Sequence, residues 1–357
     1  MTPTIGADPP SRRSGAVYGL LAAALFGAST PAAKQLLGNV EPQLLAGLLY
    51  AGAALVLTAT RPLHGRRDEA PIRRSDLPTL VAVVVMGGIV APVALLAGLD
   101  RISALSGSLL LNLEAPLTIL LAVVFFGEHL DRRAVLGGAV VMVASLALSG
   151  GDSGAGTMLG SVLVAVACAC WAVDNNLTQR LSDRDPFRIV QVKTGVAGAV
   201  NVAIALALGQ RWPSLATLLV VVAVGGAAYG ASVVLDAYAL RHLGAAREAA
   251  LFATAPFFGA LLAVTAFGEP IDPREVAVGL AMAGGVSLLL TEHHLHTHDH
   301  AAVSHEHRHR HDDGHHGHPH DPPVLGWHSH PHEHVPQRHV HRHVTDSHHR
   351  HRHGTGS

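Results

Sequence analysis

Residues 114–128 read EAPLTILLAVVFFGE, and residues 254–269 read TAPFFGALLAVTAFGE. Each stretch opens on a polar residue two places before a proline, runs on as apolar side chains and stops at Gly-Glu. One residue of slip separates the copies between proline and glutamate. Asp131-Arg132-Arg133 follows the first and Asp272-Pro273-Arg274 the second. A soluble bundle helix needs a polar stripe, and these runs are apolar all round. Such a segment belongs in lipid, where a helix satisfies its own backbone hydrogen bonds.

The same kind of run recurs along most of the chain. Between Gly15 and Leu290, charges sit in short clusters separated by apolar runs of about 17 to 25 residues. That length crosses a hydrocarbon core about 30 Å thick. The 357 residues are 49% hydrophobic and 14% charged, where a soluble protein carries roughly a quarter charged. Runs and breaks together predict ten spans. The first half holds about 15–37, 42–60, 77–99, 102–126 and 133–150. The second holds about 158–180, 188–208, 214–240, 245–268 and 275–291. The first run is too long for a signal-peptide core and no small-residue cleavage site follows it, so it is expected to stay as the first span. Cys168 and Cys170 share one run and point to different helix faces, which reads as apolar filling rather than a disulfide.

Arginine sets the orientation. Arg61, Arg66, Arg67, Arg73 and Arg74, then Arg132 and Arg133, Arg180, Arg184 and Arg188, and Arg241 and Arg247 fall on one side. The opposite loops hold Arg101, Arg211 and Arg274. The positive-inside rule therefore places both termini in the cytoplasm of a bacterial plasma membrane. The two halves, 15–150 and 156–291, each have five spans, an odd number, so the second copy enters from the opposite side. Inverted repeats of this kind commonly build carriers with a site near the midplane. The chain thus divides into a cytoplasmic N-terminus at 1–14, two inverted five-helix repeats and a tail at 292–357. The expected fold class is an all-α integral membrane protein of ten transmembrane helices.

The starts of the halves also match loosely: Ala24-Leu25-Phe26-Gly27 with Lys34-Gln35, against Ala169-Cys170-Trp171-Ala172 with Gln179-Arg180. The proline in the fourth and ninth spans, the closing Gly-Glu and the Gly-rich fifth and tenth spans together resemble the EamA-type carriers of the drug/metabolite transporter superfamily. Phe26-Gly27 with Lys34 is similar to that family's opening. The resemblance covers about 15–291 and implies a ten-helix inverted-repeat carrier that exports or exchanges small organic metabolites. One departure is that Leu48-Leu49-Tyr50 supplies no arginine in the second span, where the family usually has one. Trp171-Ala172-Val173-Asp174-Asn175-Asn176-Leu177-Thr178, with the tail described below, looks like a particular branch.

An ionisable residue deep in a span is costly, and so marks a candidate site. Glu114 stands two residues before Pro116, where a freed carbonyl and a carboxyl can meet. It reads either as a proton carrier or as a protonated group bonded to a neighbour. Asp174, Asn175 and Asn176, with Trp171 before them, form the densest polar cluster in the spans. Lys193 lies at about the depth of Asp174, and the spacing predicts that the two pair. Lys34, the other lysine of the chain, sits near the outer end of its span. Snorkelling to the interface is the alternative for both lysines. Asp236 reads as structural, and Glu128 and Glu269 as helix-end anchors. His64, His129 and His242 fall in loops, so the spans show no histidine pair for a metal pathway.

After Leu290 the composition changes. Of 27 histidines, 24 lie between His293 and His353. They alternate at His305, His307, His309 and His311, and again at His328, His330, His332 and His334. So few apolar residues predict a disordered segment, and neutral imidazoles predict divalent metal binding: zinc, nickel, cobalt or copper. No other cofactor is required.

The leading expectation is a small-metabolite exporter, proton-coupled or facilitative, with a metal-binding tail. A divalent nickel, cobalt or zinc carrier is the alternative, and a membrane metal sensor or buffer a third. No nucleophile–base pair or phosphate loop points to an enzyme. Expected partners are the bilayer and a small molecule or ion, not nucleic acid; a homodimer is left open.

Overall fold

The computed structural model describes residues 12–64, 70–126, 132–150, 154–181, 184–243 and 245–290, with four strands beyond them. Ten helices are long and apolar enough to cross a membrane. The first five are span 1 (Ser14–Leu36), span 2 (Pro42–Thr60), span 3 (Arg74–Leu99), span 4 (Ala104–Val124) and span 5 (Arg132–Ser149). The rest are span 6 (Ala155–Gln179), span 7 (Pro186–Ala207), span 8 (Leu215–Leu240), span 9 (Arg247–Thr265) and span 10 (Pro273–Leu290). The ends differ little from the sequence reading; span 3 begins at Arg74 rather than 77, and span 9 ends at Thr265 rather than 268.

Local chemistry explains where spans start. Pro42, Pro186 and Pro273 open theirs, where a missing N–H costs nothing. Ser103, Asp185 and Ser214 cap spans 4, 7 and 8 by accepting from Ser106 N, Phe187 N and Thr217 N. Large apolar side chains such as Leu146 (73% exposed) and Leu280 (70%) point out of the bundle, as a lipid-facing surface requires.

Packing reveals the symmetry. Span 1 packs on spans 8 and 9, and span 6 packs on spans 3 and 4. Span 2 lies along span 7, and span 5 along span 10. Exchanging the first five spans for the last five leaves this pairing unchanged, so the bundle is two inverted five-helix repeats. Two local irregularities repeat as well. Span 3 widens into a π-helical segment at Val84–Val90, and span 8 does so at Gly226–Ala231. Span 4 is helical to Leu110, tightens at Leu111–Leu113 and restarts at Glu114. Span 9 likewise stops at Phe252 and restarts at Ala255. Pro116 and Pro256 lack the N–H that the Asn112 and Phe252 carbonyls would otherwise accept, which accounts for both breaks.

Glu269 ties the halves together. Its two carboxylate oxygens accept from Ala104 N and Leu105 N, each at 2.8 Å, at the start of span 4. Glu269→Ala leaves two partly buried amide donors unpaired and should cost about 1–3 kcal/mol. A fall of the unfolding midpoint in detergent checks this; an unchanged midpoint would show that the cap is dispensable. Glu128, its counterpart in the first half, lies outside the described residues.

Cys168 and Cys170 are both free and buried. In the tail, β1 (His294–His300) pairs antiparallel with β4 (Gln337–His343), and β2 (Val303–His309) with β3 (His328–His334). The composition leads to an expectation of no regular structure here; the His-X alternation has the two-residue period of a strand, and these segments follow it. The tail histidine side chains, and His311 altogether, lie outside what is described.

Candidate functional site

The two broken spans face each other across a cavity of about 420 Å³. Spans 1, 6, 8 and 10 complete its wall, which extends from mid-span Phe26 and Leu111 to Leu289 and Leu290 at the end of span 10. It therefore lies between the halves and runs toward the side that carries the start of span 1.

Glu114 stands at the restart of span 4, on the cavity wall. Its Oε1 accepts from Asn175 Nδ2 at 2.8 Å, and the same amide lies 3.5 Å from Thr118 Oγ1. Asn176 is turned away and buried; it donates to the Ala172 carbonyl at 2.8 Å and to the Thr118 carbonyl at 3.0 Å, locking span 6 to span 4. Asp174 points elsewhere again, because successive helical residues are separated by about 100°. Its Oδ2 meets Lys193 Nζ at 2.7 Å and its Oδ1 accepts from Thr178 at 3.3 Å.

The π segment of span 3 receives this second group. Widening the turn frees carbonyls from the usual i→i+4 ladder. The Gly87 carbonyl accepts from Tyr50 OH at 2.9 Å and Trp171 Nε1 at 3.1 Å, and the Gly88 carbonyl from Asn201 Nδ2 at 3.1 Å. Gly87 is required here: a Cβ would overlap the Asp174 carboxylate.

The residues singled out in the sequence thus separate. Glu114 and Asn175 share the cavity; Asp174, Lys193 and Trp171 gather at the π segment behind it; Asn176 is a tie between spans. Lys34 joins neither group, since its ammonium donates to the Leu99 carbonyl at 2.6 Å and caps the end of span 3.

Two cavity residues were not read as site residues from the sequence. Asp236, taken there as structural, lines the cavity from span 8, and Glu248, not singled out, lines it from span 9. Their carboxyls are neighbours on that wall, where span 8 meets span 9. Asp236 Oδ1 is buried with no hydrogen-bond partner among the described residues. Glu248 stands at the very start of the ninth span beside Arg247; the available signal was two acids at equal depth at the ends of consecutive, antiparallel spans. Phe26 and Phe252 stand at the wall with ring centroids 5.1 Å apart, and Tyr229 meets Phe26 edge-on at 5.7 Å.

Ten spans in inverted halves around such a cavity define an integral membrane transporter. The EamA-like transporter family model matches residues 13–150 and again 158–291. The chain belongs to the EamA-like transporter family. It is 30% identical over 290 residues to an uncharacterized transporter of Methanothermobacter thermautotrophicus, covering 76% of this chain and 84% of that one. An uncharacterized protein of Pseudomonas aeruginosa is 27% identical over 243 residues, covering 68% and 81%. A crystal structure of a protein 19% identical superposes with a TM-score of 0.59 over 78% of this chain and 96% of its own, which speaks to the fold alone.

Proposed function

We propose that this transporter exports a small metabolite through the cavity between its halves, coupled to protons, with both termini in the cytoplasm of a bacterial plasma membrane. The cavity at the two matched helix breaks supports this reading: about 420 Å³ lies in the range that encloses a small organic ligand. Broken helices at a repeat interface supply polar backbone where a substrate can sit. The cavity reaches toward the arginine-rich side, and at the other end Glu269 caps span 4 and Lys34 caps span 3. Rocking of one half against the other would expose the same residues to the opposite side.

The tail adds metal capture. The strand register sets His305 opposite His332, His307 opposite His330 and His309 opposite His328, and neutral imidazole is a ligand that suits zinc, nickel, cobalt or copper. Ligand imidazoles must be neutral, so metal binding weakens as pH falls below about 6.5.

Ala253 lines the cavity, and Ala253→Trp fills it without adding charge. Everted membrane vesicles carrying the full chain should accumulate a labelled metabolite from a mixed panel, and the tryptophan variant should not. Flux that survives the tryptophan would place the pathway elsewhere. In the same vesicles, a chain ending at Glu292 should keep basal flux and lose its response to zinc. Strong zinc or nickel uptake by that shortened chain would favour a metal carrier instead.

A further inference from the structure

The cavity wall carries charge of one sign. Glu114, Asp236 and Glu248 line it from three different spans, and among the described residues that line it there is no lysine, arginine or histidine. Lys193, the ammonium nearest in depth, is held by Asp174 at 2.7 Å behind the wall. We propose that the cavity binds a small monovalent organic cation, a protonated or quaternary amine on an apolar body, and that Asp236 and Glu248 exchange a proton for it. The proposal rests on the cavity being the substrate site.

Three observations point to that ligand. An anion would face three carboxyls in a medium where charges are poorly screened. A neutral ligand without a donor would leave the buried Asp236 Oδ1 unpartnered, whereas a cation gives it a counter-charge. The Phe26 and Phe252 rings, tilted against each other, offer an apolar wall and aromatic faces, which attract ammonium groups. A divalent metal fits less well, because among the described residues no three His, Cys, Asp or Glu side chains converge on one point.

The proton exchange follows from the placement of two like groups. Two neighbouring carboxylates on the wall of a poorly solvated cavity repel, so the Asp236–Glu248 pair holds one proton between them. The pair with one proton carries a charge of −1; losing it to water gives −2, and an arriving monovalent cation restores −1. Among the described residues, the titratable groups on the elements around this pair are Glu114 on span 4, bonded to Asn175, Tyr18 on span 1 against Tyr238 on span 8, and exposed Arg247 beside Glu248; the side chains of Arg241 and His242 lie outside what is described. Span 10 contributes only apolar Val286, Leu289 and Leu290.

The test uses the purified full chain in detergent, titrated calorimetrically with benzyltrimethylammonium and with neopentylbenzene, its uncharged isostere. Two buffers of different ionisation enthalpy count the protons released. The cation should bind at least about tenfold tighter than the isostere, a difference of about 1.4 kcal/mol, and release about one proton near neutral pH. Asp236→Asn and Glu248→Gln should each abolish the release, while Glu114→Gln weakens binding and leaves the release in place. Equal binding of the isostere, or unchanged proton release in both dyad variants, would overturn the proposal; the wild-type comparison holds even if a variant fails to fold. A cation that binds and releases a proton but is never moved in vesicles would remove the transport reading and keep the cation site. Metabolite flux blocked by Ala253→Trp, with no cation binding, would do the reverse.

Discussion

Asp174→Ala is expected to destabilise the protein by about 3–5 kcal/mol and to abolish transport, while insertion into the membrane is kept. The magnitude is that of a buried ion pair broken from one side. Asp174 is 3% exposed and Lys193 19%, so the alanine strands an ammonium that water reaches poorly. The pair also shapes its surroundings, because Oδ2 lies against Gly87 and Thr178 donates to Oδ1. Insertion should survive, since removing a charge makes span 6 more apolar. The double change Asp174→Asn with Lys193→Gln leaves neutral groups that can still hydrogen-bond, and should cost less than either single change. Unfolding midpoints in detergent, read beside vesicle flux, measure both effects. A midpoint for Asp174→Ala equal to that of the wild type would show that Lys193 finds another partner.

Gly225→Ala should separate two helices that touch through their backbones. A Cβ on Gly225, just before the π segment of span 8, would overlap the Leu49 carbonyl of span 2, and a backbone oxygen cannot rotate aside. Overpacking of this kind costs about 1–3 kcal/mol or more. Gly284 in span 10 is the matched control, since nothing lies within 4 Å of a Cβ placed there. Gly284→Ala should be neutral or stabilise by up to about 1 kcal/mol through helix propensity. Thermal unfolding of both variants checks the contrast. Equal midpoints would mean that spans 2 and 8 tolerate a wider spacing than the structure shows.

Much of the architecture was legible along the chain. The ten spans follow from hydropathy because lipid offers no hydrogen bonds, so each crossing must be one long apolar helix, and that constraint acts segment by segment. The repeat was legible because both prolines break their helices at the same place. The pairing of Asp174 with Lys193 was legible from depth alone, as two opposite charges at one level in lipid have few other partners.

The division of labour among neighbours was decided by the tertiary structure. Asn175 and Asp174 are adjacent in sequence but differ by about 100° around the helix, and only the positions of spans 3, 4 and 7 decide that one faces the cavity and the other a lysine. Lys34, like Lys193 a lysine within a span, was read near the outer end of its helix, and the nearby end of span 3 gives it carbonyls to cap. Asp236 and Glu248 lie at the margins of their spans, where hydropathy cannot tell an interface acid from a cavity acid. Folding span 8 against span 9 brings the two carboxyls together. The sequence by itself determined what must cross the bilayer, because solvation acts on each residue separately; which side chains share a cavity was decided by helix rotation and packing, which no single span contains.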